Sequence, residues 1–268
     1  MTGRAAGAVG GTIDSKAVNR ALREIVWPDL KLLGFSRRTP RTAWRDRSHA
    51  IQIVNFQSFN SYLADAIGAT TFSFGVNLGV FYPAIANQSA IASFIPDRSW
   101  PPEWHCQARK HLGKGLVQPN TMVKRRRFDP RSPQPSLGRW VDRPDIWYVL
   151  PDGSNVDIVA QDAHDRILEM GIPWLDRLSD LAEARRHFQG VASSALAPGI
   201  GDEDYGGAID SPNRWLAVGA LSAALEDLSG LRWAIDAMTA QPYFRERPSD
   251  LNALRGAVSD MTECKDES

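Results

Sequence analysis

Residues 72–81, FSFGVNLGVF, show the most regular alternation of apolar and polar positions in the chain. Large apolar side chains occupy the even positions, and small or polar residues occupy most of the odd positions. A period of two over ten residues predicts a β-strand with one buried face, because successive side chains point to opposite sides of a sheet. The segment 50–58 predicts a second strand, in which Val54 and Phe56 would join the same buried face.

Breaking residues and apolar periodicity predict the elements around these two strands. A helical stripe begins at Ser15, and Pro28 predicts a kink in it because proline has no backbone N–H donor. Gly34 predicts the end of this helix. The remaining strands are predicted at 35–38, 42–47, 103–113 and 145–150, the first two as a hairpin.

Helical patterns dominate the second half of the chain. Ser154 is the predicted cap of a helix at 155–170, and Gly171 and Pro173 are predicted to end it. The other helices are predicted at 84–94, 175–189, 213–239 and 249–261. Strands that follow one another without long helices between them favour an antiparallel sheet. The predicted fold is therefore α+β, an antiparallel sheet packed on helices with a helical C-terminal extension.

Composition shifts divide the chain into four predicted parts. Residues 1–12 are rich in Gly and Ala and are predicted to be disordered, and residues 13–190 form the predicted α+β core domain. Residues 191–212, which include APGIGDEDYGG, form a predicted linker. Residues 213–268 form the predicted C-terminal helical region.

The charges of the chain balance overall but not by halves. Residues 1–143 carry 21 basic and 9 acidic side chains, a net of +12, and the remainder carries 10 and 22, a net of −12. We expect the two halves to attract each other within the molecule, since that arrangement needs no external partner. The chain contains two cysteines and lacks a run of roughly 18 apolar residues, which predicts a cytoplasmic protein without a membrane span.

Several short motifs, taken in order, resemble a known family. They are LLGF at 32–35, the Trp44–Arg45 strand, IQIVNFQSFNS, FSFGVNLGVF, CQARKHLG, and DIWYVL followed by a capped helix. Their order and spacing resemble the bacterial domain of unknown function 4304 over about residues 15–180. This family has no established activity to carry over. The resemblance implies the fold and a bacterial cytoplasmic setting, and it leaves the basic segment 114–143 and the C-terminal helices outside the family core.

The odd positions of the two best strands predict a candidate binding surface. Asn55, Gln57, Ser73 and Asn77 would share the face opposite the core, beside glycines that leave room for a ligand. Amides offer both donors and acceptors, which suits the orientation of a polar ligand. Two alternatives remain open: this face is solvated, or it is covered and the amides bond to backbone groups.

Aromatic and basic residues extend this candidate surface. Trp44, Trp104 and Trp147 are predicted to form an aromatic rim, because indoles favour half-buried interfaces. Arg109 would bind an anion through its planar fork, or pair with the acidic C-terminal half, which we favour.

Two further features of the sequence bear on metal binding, catalysis and nucleic-acid binding. His105 and Cys106 are adjacent and would point to opposite faces of a strand, so neither a metal site nor a cofactor is predicted there. A buried, inert thiol is the expected state of Cys106. The basic run Lys124, Arg125, Arg126 and Arg127 lies beside Phe128, and such runs attract phosphate backbones.

The sequence thus predicts a non-enzymatic binding module that engages a protein or a small polar ligand through one sheet face. One alternative is an enzyme with its site on the same face, which would need at least two titratable groups there. The other is association with nucleic acid through residues 107–143.

Overall fold

The computed structural model describes residues 15–86, 100–118, 122–123, 139–140, 143–194, 213–246 and 248–266. Five strands form one antiparallel sheet in the order β1-β2-β3-β4-β5. They are Arg37–Arg38, Thr42–Asp46, Ile51–Ser58, Phe74–Phe81 and Ala108–His111. Two short strands, β6 (Met122–Val123) and β7 (Arg139–Trp140), pair separately. The sheet and the helices described below confirm the predicted α+β class.

The register places the even positions of β3 and β4 in the core. Val54 pairs with Leu78 and Phe56 pairs with Val76, and all four side chains are buried in the main hydrophobic cluster. This confirms the inward face predicted by the alternation. However, β4 is buried at all eight positions, so both of its faces are covered. The expectation of a strand with only one buried face was therefore wrong for β4.

Two long helical runs pack on the even face, and each carries a proline. The first comprises α1 (Ser15–Ala21), a π-helical turn (Leu22–Val26) and α2 (Trp27–Leu32). The second comprises α5 (Val156–Arg166), a π-helical turn (Ile167–Gly171) and α6 (Ile172–Leu178). Short helices α3 (Ser61–Ile67) and α4 (Pro83–Ala86) and a 3₁₀ turn (Glu103–His105) connect the strands.

A π-helical turn precedes the proline in each run. Pro28 and Pro173 are each the second residue of the α-helical segment that follows the turn. A π turn shifts the hydrogen-bonding pattern, so the run accommodates a residue that has no N–H donor and whose ring would clash one turn back. Gly171 and Pro173 were predicted to end the helix, and this was wrong because the run continues through them. Gly34, with φ of +93°, ends the first run as predicted.

A buried polar cluster ties the sheet to α6. Gln52 is fully buried on the even face, and its Nε2 donates to the Leu175 carbonyl at 2.8 Å. The buried Arg45 guanidinium donates to Gln52, to Asp176 and, at 2.9 Å, to the Leu33 carbonyl. Burial lowers the pKa of Arg45, and the charge of Asp176 opposes that shift. These bonds satisfy polar groups that would otherwise destabilise the interior.

The C-terminal helices share the main core with the sheet domain. They are α7 (Leu181–Ser194), α8 (Asn213–Ala224), α9 (Leu228–Ala240), α10 (Pro242–Glu246) and α11 (Pro248–Asp266). Val218 and Leu221 of α8 belong to the main hydrophobic cluster, whereas α9–α11 add a second cluster around Leu231 and Phe244. The single helix predicted at 213–239 was wrong, because Asp227 caps a new helix by accepting from the Ser229 and Gly230 N–H groups.

Other predicted elements also differ from the structure. Residues 145–150 form no strand, and only Trp147 makes an isolated bridge, to Phe74. Asn155, not Ser154, occupies the N-cap position of α5, and the Ser154 hydroxyl donates to Asp152 instead. The strand predicted at 103–113 is a 3₁₀ turn followed by the shorter β5. Residues 1–12, 87–94 and 195–212 lie outside the described residues, so the disorder, most of the 84–94 helix and most of the linker stay predictions.

We predict that Gly79→Ala destabilises the protein because Gly79 admits Cys106 against β4. A Cβ at position 79 would lie 2.5 Å from Cys106 Sγ and 3.0 Å from Cys106 Cβ. We expect a loss of about 1–3 kcal/mol in the free energy of unfolding, measured by urea denaturation. The double variant with Cys106→Ala should lose less than the sum of the two single variants. Additive losses would show that this contact does not limit position 79.

Candidate binding surface on the polar face of the sheet

The sheet register brings four polar residues together on the odd face. Asn55 of β3 pairs with Asn77 of β4, which pairs with His111 of β5. Gln57 is two residues from Asn55 on the same strand, so its side chain leaves the same face. We call these four residues, Asn55, Gln57, Asn77 and His111, the amide–imidazole patch. The sequence predicted three of its members, and their meeting follows from the antiparallel register.

Asn77 forms the buried centre of the patch. It is 2% exposed, its Nδ2 donates to Gln57 Oε1 at 2.7 Å, and its Oδ1 lies 2.6 Å from His111 Nδ1. Because Asn77 uses its amide N–H toward Gln57, its carbonyl must accept, and His111 Nδ1 must therefore carry the proton. In neutral His111 the lone pair is then on Nε2. The expectation that Asn77 projects into a ligand was wrong, since its polar atoms are used inside the protein.

The outer members of the patch are held in fixed orientations. Gln57 and His111 are exposed, and the bonds to Asn77 occupy Gln57 Oε1 and His111 Nδ1. Within the described residues, nothing bonds to Gln57 Nε2 or to His111 Nε2. Asn55 is half-buried, and its Nδ2 donates to Thr42 Oγ1 at 2.8 Å. The patch thus presents an amide donor, Gln57 Nε2, and an imidazole acceptor, His111 Nε2. The other polar atom of each side chain is already bonded to Asn77.

A carboxylate lies beside this patch. The backbone carbonyl of Asp145 covers Gly75, where an added Cβ would lie 3.4 Å from it. Arg143 donates to both Asp145 oxygens, from Nε at 2.8 Å and from a terminal nitrogen at 2.6 Å. Burial alone would raise the pKa of Asp145, but the Arg143 bonds and charge, with a smaller contribution from His111, hold it below its ordinary value. The sequence named His111 only as a potential metal ligand beside His105 and Cys106, and it did not place His111 or Asp145 at this surface. Only the strand register and the return of the 143–149 segment bring them here.

The other half of the odd face is covered by the chain itself. Cys106 packs on Gly79 and clusters with Ile53 and Phe81. Trp44 Nε1 donates to the Pro101 carbonyl at 2.8 Å, which fixes this cover at its edge. The glycines of β4 were expected to leave room for a ligand, and this was wrong. Gly79 admits Cys106, and Gly75 admits the backbone at Asp145.

Three predicted site residues lie apart from the patch. Ser73 is fully buried before the start of β4, and its Oγ accepts from the Val149 N–H at 3.0 Å. Trp147 is also fully buried; it stacks on Phe74 and donates to Asp162 at 2.7 Å, so it forms no rim. Arg109 lies on the odd face opposite Gly79. Its Nε and one terminal nitrogen donate to the two carboxylate oxygens of the buried Glu103, at 2.6 and 3.2 Å. Among the described residues it has no partner in the C-terminal half, which was the favoured prediction.

The remaining candidates that lie within the described residues are not part of this surface. Burial raises the pKa of the Cys106 thiol well above its ordinary value, with Glu103 adding to the effect, so this thiol is a poor nucleophile. In the described ranges, no group of three or more His, Cys, Asp or Glu side chains is arranged to hold a metal ion. Trp104 is exposed beside the cover. The basic run 124–127 lies outside the described residues, and its role stays a prediction.

We predict that neutral His111 carries its proton on Nδ1. An exposed imidazole in water favours the proton on Nε2, so the Asn77 bond should shift His111 to the other tautomer. Imidazole ¹⁵N chemical shifts, recorded at a pH where the ring is neutral, distinguish the two forms. Exposed His49 is the internal reference, and Asn77→Ala should return His111 to the His49 pattern. A Nε2–H tautomer at His111 in the unmodified protein would contradict the proposed bond network.

We predict an acid-sensitive contribution from Asp145. Its pKa in the folded protein lies below the ordinary value of 3.8, so its ionised form stabilises the fold above that pH. That stabilisation is lost as the pH falls through the folded pKa. Asp145→Asn should therefore be destabilised at pH 7 and approach the unmodified protein below pH 3.8, as measured by urea unfolding across pH. Asp236→Asn, a loss of one exposed carboxylate on α9, is the control and should not show this convergence.

Comparison with known proteins gives a family and nothing finer. No curated protein and no solved structure matches this chain significantly. Among the described helices, none is long and apolar enough to cross a membrane. The family model described as Domain of unknown function (DUF4304) matches residues 26–177, which contain the whole five-stranded sheet, the amide–imidazole patch and helices α5 and most of α6. The chain therefore belongs to the DUF4304 family.

Proposed function

We propose that this protein is a non-enzymatic binding module whose amide–imidazole patch engages a partner through amide groups. The proposal rests on the two hydrogen bonds of Asn77, which occupy Gln57 Oε1 and His111 Nδ1. Among the described residues, Gln57 Nε2 and His111 Nε2 then remain for a partner. One donor beside one acceptor complements a carboxamide or a peptide group. A preorganised pair loses less conformational entropy on binding than two mobile side chains.

The chemistry around the patch favours binding over catalysis. His111 is the one titratable member of the patch, and within the described residues no hydroxyl or thiol bonds to its Nε2. The nearby carboxylate of Asp145 is engaged by Arg143 at two points. The enclosed thiol, Cys106, is kept in its protonated form by burial. A nucleophile activated by an adjacent base is thus missing from this part of the described structure.

An enzyme remains the second candidate because of one observation, the fixed orientation of His111. An imidazole whose Nδ1–H is held by a carbonyl presents a basic Nε2, which is how general bases are positioned. In that case Asn77 would be a positioning residue, and a substrate would supply the group that Nε2 deprotonates. The tautomer measurement above also tests this candidate, since a Nε2–H form would leave no base at this position.

We predict that Gln57→Arg abolishes partner binding while the protein stays folded. Gln57 is exposed, so a larger charged side chain there blocks the patch. The change also removes the acceptor of the buried Asn77 Nδ2, which we expect to cost about 1–3 kcal/mol without unfolding the protein. The unmodified protein, Gln57→Arg and the control Asn252→Arg on exposed α11 are immobilised and used for capture from native-host lysate, with quantitative mass spectrometry. We expect at least a tenfold loss of specific partners for Gln57→Arg only.

Two outcomes would contradict the binding proposal. One is that the unmodified protein captures nothing reproducible; the other is that Gln57→Arg and Asn252→Arg capture the same partners equally well. Circular dichroism and the melting temperature verify that each variant is folded. Any partner that is found should shift the NMR signals of the Gln57 and Asn77 side-chain amides, because these report on the patch directly.

A further inference from the structure

A cavity separate from the amide–imidazole patch lies on the other side of the sheet, between the first helical run and the β1–β2 hairpin. Its volume is about 550 Å³. Lys16, Arg20 and Arg23 line it from the helical run, and Arg38 lines it from the hairpin. Arg38 pairs with Ala43, which is buried in the main core, so both side chains leave the even face toward the helices. The hairpin thus brings a fourth cation to three that the helical run supplies.

Among the described residues, no carboxylate compensates the charge of the arginines around this cavity. In the described part of the chain, Arg20, Arg23 and Arg38 have no carboxylate partner, and the described lining contains no acidic residue. Lys16 has an interaction of its own, so the three arginines carry the excess charge. Like charges three or four residues apart on one helical run repel each other. An anion bound in this concave site would relieve that repulsion.

Two residues of the lining also carry buried polar atoms that lack partners among the described residues. Trp27 lines the cavity, is 4% exposed and packs edge-on against Phe56, with ring centroids 5.4 Å apart. Its Nε1–H is buried and finds no acceptor among the described residues. Asn19 also lines the cavity, and its Oδ1 is buried with no donor among the described residues. A buried donor and a buried acceptor without partners destabilise a protein unless a ligand or a water molecule bonds to them.

Arg41 adds buried positive charge next to this lining. It follows Pro40, the last hairpin residue of the lining, and its N–H donates to Thr39 Oγ1 at 3.3 Å. Burial lowers the pKa of Arg41 to about 10, and its two terminal nitrogens have no partner within the described residues. Its guanidinium lies 5.9 Å from the Phe74 ring centroid. The hairpin therefore holds one desolvated cation, Arg41, directly after the lining residue Pro40.

We propose that this cavity binds a phosphate ester of a small hydroxyl-bearing molecule. Arginine forks match phosphate oxygens in geometry and charge, and the Trp27 N–H supplies a neutral donor. Asn19 Oδ1 would accept from a hydroxyl of the same ligand. The volume is that of a small-molecule site, whereas a nucleic-acid strand needs a longer basic groove with several stacking rings. This site is independent of the amide–imidazole patch.

The proposal is tested by NMR titration with ribose 5-phosphate, ribose, inorganic phosphate and a ten-residue oligo-dT. The probe is the indole N–H signal of Trp27, assigned with Trp27→Phe. Ribose 5-phosphate should shift this signal at lower concentration than inorganic phosphate does, and ribose should leave it unchanged. Arg20→Gln/Arg38→Gln should weaken ribose 5-phosphate binding at least tenfold. These residues are exposed, so we expect the melting temperature to change little.

The matched control is Arg232→Gln/Arg255→Gln, which removes two exposed charges from α9 and α11. It should bind ribose 5-phosphate as the unmodified protein does. Equal weakening in both double variants would reduce the effect to net charge and overturn the site. Absence of a Trp27 shift with ribose 5-phosphate would overturn it as well. If oligo-dT alone shifts the signal and requires Arg20 and Arg38, the site binds nucleic acid and the small-molecule proposal is wrong.

Discussion

The complete burial of β4 is the constraint on which the rest of the structure depends. Helices cover its even face, and the 100–106 and 143–147 segments cover its odd face. Every polar atom on such a strand must find a partner inside the protein, because an unpaired buried amide costs about 1–3 kcal/mol. Asn77 is the large polar side chain that this burial leaves on β4. Its bonds to Gln57 and His111 follow from that requirement.

Burial of β4 also explains its glycines. Gly79 leaves the space that Cys106 fills, and Gly75 leaves the space for the backbone at Asp145. The 100–106 segment reaches the sheet because Gly79 lacks a side chain, whereas a Cβ at position 75 would make an ordinary contact with the Asp145 carbonyl at 3.4 Å. The same approach buries Cys106 as an inert thiol and carries Asp145 toward His111. The glycines and Asn77 of β4 thus determine both how the odd face is packed and which polar groups meet at the amide–imidazole patch.

The even face also buries polar groups, and one of them, Arg45, is charged. Arg45 and Gln52 lie under α6, where Asp176, Leu175 and Leu33 satisfy them. Asp176 also bonds to Arg47, so this acidic residue of the second half of the chain compensates two basic residues of the first. The arginines around the helix–hairpin cavity have no such carboxylate in the described structure. The expected attraction between the two halves is thus realised at α6 and not at this cavity.

The sequence by itself determined the α+β class, the antiparallel pairing of the main strands, the side of β4 that enters the core, and the DUF4304 resemblance. Those features follow from local rules of alternation, periodicity and turn residues. Lys16, Arg20 and Arg23 also recur at helical spacing in the sequence, but only the apolar stripe of this helix was predicted.

Only the tertiary structure decided what covers the odd face, that His111 meets Asn77, that Trp147 and Ser73 are buried, and that Arg38 faces the first helical run. Each of these depends on strand register or on a segment that returns from a distant part of the chain. A local pattern specifies which side of an element is apolar, but it does not specify which distant residue packs there. Pro173 is a further example, because local propensity predicts the end of a helix there. In the structure a π-helical turn precedes Pro173, and the helical run continues.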